Sequence, residues 1–418
     1  MNAGLRAGYK QTEVGMIPEA WEAVPLSVIG QFKNGINKSA EAFGHGSPFV
    51  NLMDVFGVNS IKSGDAFGLV KTTEAEQKTY DLKRGDVIFI RSSVKPSGVG
   101  LTAVVEADLP KTVYSGFLIR FRDSDALDIG FKRHCFYAEK FRNKLIGSSS
   151  VSANTNINQD NLKKLLIALP PTLPEQRAIA EALSDVDALL DELDRLIAKK
   201  RNLKQAAMQQ LLTGQTRLPG FNGEWEVKRV GDFTDCTAGG TPSTRISTYW
   251  GGNIRWMSSG ELNLKNVYEV EGRITESGLN NSSTKIIPCK CVLIGLAGQG
   301  KTRGTVAMNH VALCTNQSIA AIFPNLEFVP EYLYYNLDAR YDELREMSAG
   351  DGGRGGLNLK IIKAIPVPFP TLAEQAAIAA VLSDMDTELA ALQARRTKTQ
   401  ALKQAMMQEL LTGRIRLV

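Results

Sequence analysis

One stretch of this chain occurs twice. Residues 171–217 read PTLPEQRAIAEALSDVDALLDELDRLIAKKRNLKQAAMQQLLTGQTR and residues 370–416 read PTLAEQAAIAAVLSDMDTELAALQARRTKTQALKQAMMQELLTGRIR. The copies are 199 residues apart without a gap, so Glu175 matches Glu374 and Gly214 matches Gly413. Such a unit is too long and too far from its copy for a solenoid repeat. It marks a tandem duplication of a large module that ends in a helix. Each copy opens on T-x-x-E (Thr172 with Glu175, Thr371 with Glu374), the spacing of a reciprocal capping box. Each closes on Thr-Gly, where glycine can take the left-handed conformation that stops a helix. Between these signals lies no glycine, and no proline after Pro174. The spacing predicts helices over 172–214 and 371–413, each roughly 60 Å long at 1.5 Å per residue.

The apolar residues in these helices fall three and four apart, as in a heptad seam. The first stripe is Ile179, Leu183, Val186, Leu190, Leu193 and Ile197; the second is Ile378, Leu382, Met385, Leu389 and Leu392. Lys200 and Lys204 interrupt the first, and Arg396, Thr399 and Lys403 the second, before Leu211 and Leu410 resume the register. Two stripes matched in length and phase predict that the helices pack on each other as a coiled coil, with antiparallel pairing favoured. A pseudo-two-fold axis would then relate the modules.

The remaining chain is two globular segments of similar type. Each begins near a tryptophan (Trp21, Trp225), then alternates short β-rich runs such as DVIFI and CVLIG with Gly-, Asn- and Ser-rich turns. The expected fold is α+β, divided as a first globular domain over 1–171, a helix over 172–214, a second globular domain over 215–370, and a helix with its tail over 371–418. Strong repetition in the helices and weak repetition in the globes suggest one shared scaffold role and two divergent recognition roles.

Composition narrows the function. No run of about 18 apolar residues predicts a membrane span, and the start MNAGLRAGYKQTEVG has no apolar signal region. Five cysteines without paired spacing suit a reduced, cytoplasmic protein. His45, His134 and His310 are the only histidines and none lies by a C-x-x-C, so no metal site is expected. The net charge of +5 includes +4 from residues 1–171, with 21 basic and 17 acidic side chains there. That balance is compatible with nucleic acid and does not demand it.

One motif points elsewhere. GLAGQGKT, residues 295–302, matches the phosphate-binding G-x-x-x-x-G-K-[ST] pattern. That loop needs a helix after it, and RGTVAMNHVALC alternates like a strand. The expectation is a loop joining two strands, with Gln299, Lys301 and Arg303 near its tip. No Asn/Asp-Pro-Pro-aromatic methyltransferase segment, strand-associated G-x-G loop, H-E-x-x-H motif or nuclease carboxylate-Lys cluster stands out, so no catalytic residues and no resident cofactor are expected. A P-loop NTPase and a stand-alone DNA-binding regulator are the rival readings.

The segments LPPTLPEQRAIAEALSDVDALLDEL with QQLLTG, FPTLAEQAAIAAVLSDMD with QELLTG, and GGTPSTRISTYWGGNIRWMSSGEL at 239–262 resemble the specificity subunit of type I restriction–modification enzymes. The resemblance covers nearly the whole chain. It implies two target-recognition domains, each reading half of a split double-stranded DNA sequence, separated by the antiparallel helices. It implies two methyltransferase (modification) subunits and motor-nuclease (restriction) subunits as partners. S-adenosylmethionine, ATP and magnesium would then be bound by those partners. Candidate DNA contacts in the first domain are Arg91, Ser92, Ser93, Lys95, Ser97, Asn154 and Asn156; in the second they are Gln299, Lys301, Arg303, Asn316, Gln317 and Arg354. Tyr249 and Trp250 are expected to anchor packing rather than stack on a base.

Overall fold

The computed structural model describes residues 7–151, 153–298, 302–347 and 356–417. The chain forms two compact units, Met1–Asp194 with Ala394–Val418, and Arg195–Gln393. Each therefore holds one globular domain, the first part of one long helix and the last part of the other.

In the first unit the wholly apolar run Val87–Ile90 becomes the central strand of a five-stranded sheet. The order is Gly30–Asn34, Leu118–Asp123, Val87–Ile90, Thr102–Val105, Ser60–Ile61, antiparallel except for the last pairing. The second unit repeats order and sense with Cys236–Ala238, Ile319–Ile322, Val292–Gly295, Val306–Asn309 and Asn266–Val267. A strand with every residue buried must be covered on both faces. Successive side chains alternate accordingly. Val87 and Phe89 face a core with Trp21, Phe131, Phe136, Ile179 and Leu183, while Ile88 and Ile90 face a second core with Val50, Val55 and Tyr114.

The duplicated segments fold as α-helices Leu173–Leu211 and Leu372–Leu410. Thr172 Oγ1 accepts the Glu175 amide and Thr371 Oγ1 the Glu374 amide, each at 3.3 Å. Only this half of the expected capping box forms, because the glutamates are used elsewhere. The Glu175 carboxylate, 1% exposed, accepts from Trp21 Nε1 at 3.1 Å and from Arg416 Nε and Nη2 at 2.7 and 2.9 Å. Glu374 likewise takes Trp225 Nε1 at 3.1 Å and Arg217 at 2.5 and 2.7 Å. The residue after each glutamate fastens helix to globe. Gln176 Oε1 accepts the Asp128 amide at 2.7 Å, and Gln375 Oε1 the Val329 amide at 2.9 Å. Gly214 and Gly413 end the helices at φ +73° and +69°, the left-handed conformation expected of them.

Within each unit the two helix portions run antiparallel. In the first, Asp187 pairs with Lys403 and Asp194 with Arg396, seven residues forward on one helix against seven back on the other. In the second, Lys204 pairs with Asp386 at 2.5 Å and Lys200 with Glu388 at 2.7 Å. The basic residues that interrupt the stripes thus make inter-helix ion pairs. Leu190, Leu193, Ile197 and Leu389 are buried, and Val186, Met385 and Leu392 half-buried. Ile179 and Leu183 are absorbed into the globular core of the first unit beside Leu410 and Leu411. Ile378, Leu382 and Met385 join the core of the second with Leu211 and Leu212.

Candidate nucleic-acid interface

The central strand of each sheet ends in the loop that carries most candidates. In the first unit the chain leaves Ile90 through Arg91 into a two-residue strand, Ser92–Ser93. Asn156 pairs with Ser92 and Thr155 with Ser93, and Ser150–Val151 adds a third strand. Candidates some sixty residues apart in sequence are therefore neighbours on one small sheet. Asn156 Nδ2 donates to the Asn154 carbonyl at 3.0 Å, and Arg91 Nη1 to the Gly116 carbonyl at 3.3 Å. Lys95 precedes the short helical turn Pro96–Gly98 in extended conformation. Ser93 lies tight against Gly98, where an added Cβ would sit 2.3 Å from Ser93 Oγ. Lys95, Ser97 and Asn154 are exposed; Arg91, Ser92, Ser93 and Asn156 are half-buried.

Three residues outside the sequence-based set belong to this surface or support it. Phe117, 57% exposed, accepts the Arg91 amide through its carbonyl, and Val94 is 81% exposed. Arg142 Nη2 donates to the Ser97 carbonyl at 3.0 Å from beneath the loop, and burial pulls its guanidinium below the ordinary arginine value. A polar sheet with an exposed aromatic and two cationic residues offers hydrogen bonds to base edges and a face for stacking. Phe117 was hidden because it directly precedes the apolar strand Leu118–Asp123.

The second unit builds the same junction from other residues. Leu296 donates to the Ser318 carbonyl as Arg91 does to Phe117. Leu357 donates to Leu296 as Ile157 does to Arg91, and Gly304 to Gly295 as Gly100 does to Ile90. The loop after Gly295 returns directly into the antiparallel strand Val306–Asn309. Among the described residues no helix follows it to cradle a phosphate, in line with the alternation of RGTVAMN. Arg303 is half-buried in the returning turn. Asn316 holds its own turn, its Oδ1 accepting the Ser318 amide at 3.1 Å. Gln317 is exposed and bonded to Thr241. Gln299, Lys301 and Arg354 lie outside the described residues.

The GGTPS segment packs against the turn at Thr315, Asn316 and Gln317. Gly240 donates to the Thr315 carbonyl at 2.8 Å, and a Cβ on Gly239 would meet that carbonyl at 2.1 Å. Trp256 Nε1 donates to Gly240 at 2.9 Å and its ring meets Trp250 edge-on at 5.0 Å, so Trp250 is a packing anchor. Among the described residues no group of His, Cys, Asp or Glu side chains is placed to hold a metal ion, and no helix is long and apolar enough to cross a membrane.

A duplicated α+β domain on an antiparallel helix pair, with the same loop junction in both copies, defines a class of proteins built from two copies of one module. The family model for the type I restriction modification DNA specificity domain matches residues 18–203 and again 222–403. The chain belongs to that family. It is 24% identical over 424 residues to the putative type I restriction enzyme MjaX specificity subunit of Methanocaldococcus jannaschii, covering 98% of this chain and 96% of that one. It is 27% identical over 235 residues to the EcoR124I/EcoR124II specificity subunit of Escherichia coli, covering 55% and 57%. Its fold is that of the type I restriction-modification S subunit from M. genitalium, with TM-score 0.59, 15% identity and 97% of both chains covered. A chain solved in work on complex assembly and conformational transition of the type I R-M system superposes with TM-score 0.61, at 19% identity over 96% of this chain and 99% of that one.

Proposed function

We propose that this specificity subunit reads a bipartite DNA target, one half with each globular domain, and scaffolds the methyltransferase and motor-nuclease subunits. The observation that carries the reading is the repeated loop junction: identical backbone bonding around Arg91 and Leu296, with different side chains displayed. One scaffold presenting two chemistries suits two half-sites of different sequence. The chain supplies recognition, and catalysis together with S-adenosylmethionine, ATP and magnesium belongs to its cytoplasmic partners. The test replaces residues 1–170 with the corresponding segment of another family member and sequences the host methylome. One half of the methylated site should change while the other persists. A swap that altered both halves together would sink independent reading. ATP hydrolysis by the purified chain, abolished by Lys301→Ala, would restore the P-loop reading.

A further inference from the structure

The loop 91–98 of the first unit carries one residue that its own fold does not use. Val94 is 81% exposed between Ser93 and Lys95, and among the described residues it joins no hydrophobic cluster. It is held firmly all the same. The Gly98 amide donates to the Lys95 carbonyl at 3.0 Å, and Pro96 stiffens the turn between them. Arg142 Nη2 grips the Ser97 carbonyl at 3.0 Å. A β-branched side chain adds few rotamers of its own. Two methyl groups are thus displayed to solvent at a fixed place, on a loop whose other side chains are polar.

The surroundings say what covers it. Segments 91–98, 115–117 and 148–156 contain no Asp or Glu. Arg91, Lys95 and Arg142 bring positive charge, and among the described residues none of the three makes an ion pair. The half-buried Arg91 and Arg142 donate to main-chain carbonyls, Gly116 and Ser97, and Arg142 Nη1 is buried without a hydrogen-bond partner. That is not the habit of this unit. Arg120 is neutralised by Asp81, Arg122 by Asp86, Lys132 by Asp123 and Arg133 by Glu106. Burying part of a cation without a counter-charge costs stability, which an anionic partner returns. Beside Val94 the hydroxyls of Ser92 and Ser93 and the amide of Asn156 have the chemistry of base-edge hydrogen bonds. The occupant is therefore a polyanion with polar edges and an apolar spot among them. Double-stranded DNA offers that combination in its major groove, where the apolar spot is the C5-methyl group of thymine.

We propose that Val94 reads the C5-methyl group of a thymine in the half-site taken by the first domain, with Lys95 on the adjoining phosphate. The proposal rests on the bipartite reading above and assigns one base within it. The preference belongs to one half-site only. The corresponding loop of the second domain, LAGQGKTR at 296–303, has no Val, Leu, Ile or Met beyond the buried Leu296.

The test uses the complex of the full chain with its modification subunits, and duplexes carrying the target found by methylome sequencing. Deoxyuridine replaces thymidine one position at a time. At one position of the first half-site the wild-type complex should bind the uracil duplex about fourfold more weakly, the worth of one buried methyl group. Val94→Ser should bring thymine and uracil at that position to equal affinity without moving the unfolding temperature. Lys95→Gln should weaken every duplex alike and lower the slope of log affinity against log salt by about one, with the thymine preference kept. A wild-type complex indifferent to uracil throughout the first half-site overturns the proposal. So does a Val94→Ser complex that keeps the preference, or one that loses its modification subunits instead. Each of those results leaves bipartite reading standing. A wild-type complex that binds its target no better than unrelated DNA overturns the bipartite reading itself, and the assigned contact with it.

Discussion

At the residue scale, the buried glutamates are the least expected feature. T-x-x-E announced a cap, and the threonine half of the cap forms. The carboxylate goes instead to a tryptophan 154 positions away and an arginine 241 positions away. No local pattern encodes such a partner. Arg416→Ala would leave Glu175 charged, buried and held by one neutral donor. Orphaning a buried charge costs several kcal/mol; with Arg416 36% exposed, a loss of about 2 kcal/mol is expected in the first unit. Arg217→Ala should lower the unfolding midpoint of the second. Chemical denaturation of each variant measures both, and unchanged midpoints would mean the glutamates are neutral.

His134 adds a pH dependence. It lies within hydrogen-bonding distance of Ser184 Oγ at 3.2 Å, and burial holds its imidazole at about 4 despite the nearby Asp187 carboxylate. Lys403 and Arg133 push in the same direction as burial. The folded state therefore prefers the neutral ring. Its contribution is present above the unfolded value near 6.5 and is lost as pH falls from there toward 4, up to about 3 kcal/mol. His134→Gln should flatten that part of the stability–pH profile. An unaltered slope would show that other groups govern it.

At the element scale, the long helices and central strands were legible because their patterns are long or extreme. A stripe of five or six residues cannot arise by packing on a strand, and VIFI is buried whichever face is considered. The small sheet of Ser92–Ser93, Thr155–Asn156 and Ser150–Val151 was not legible, since two-residue polar strands have no period to detect. The interrupted seams were legible as weakness and turned out to be charge pairing. Antiparallel register then depends on Asp187 with Lys403 and Asp386 with Lys204. Lys403→Glu should destabilise the helix pair by about 1 kcal/mol, with recovery in the double variant Asp187→Lys, Lys403→Glu. A double-mutant cycle with no coupling would remove these pairs from any role in register.

At the scale of the whole molecule, the duplication suggested two modules, while the compact units draw on both copies. If each globular domain reads one half of the target, the length of the helices between the domains should set the spacer that separates the halves. Seven residues inserted into one long helix keep its heptad face and lengthen it by about 10 Å. The unspecific spacer of the methylated site should lengthen by up to roughly three base pairs at about 3.4 Å each, with both halves kept. An active insertion variant with an unchanged spacer would disqualify the helices as ruler.

The make-up of the first unit also fixes an order of events during synthesis. Arg195–Gln393 is a continuous stretch, so the second unit can close as soon as it leaves the ribosome. The first unit cannot, because Leu410 and Leu411 belong to its core and Arg416 to its buried glutamate. At roughly 5–20 residues per second, its N-terminal domain waits tens of seconds for those groups to be made. During that interval the helix face around Ile179 and Leu183 lacks part of its cover. A chain truncated after Gln393 and released should be protease-resistant across the second unit and cleavable within 173–194, and the full chain should lose that cleavage.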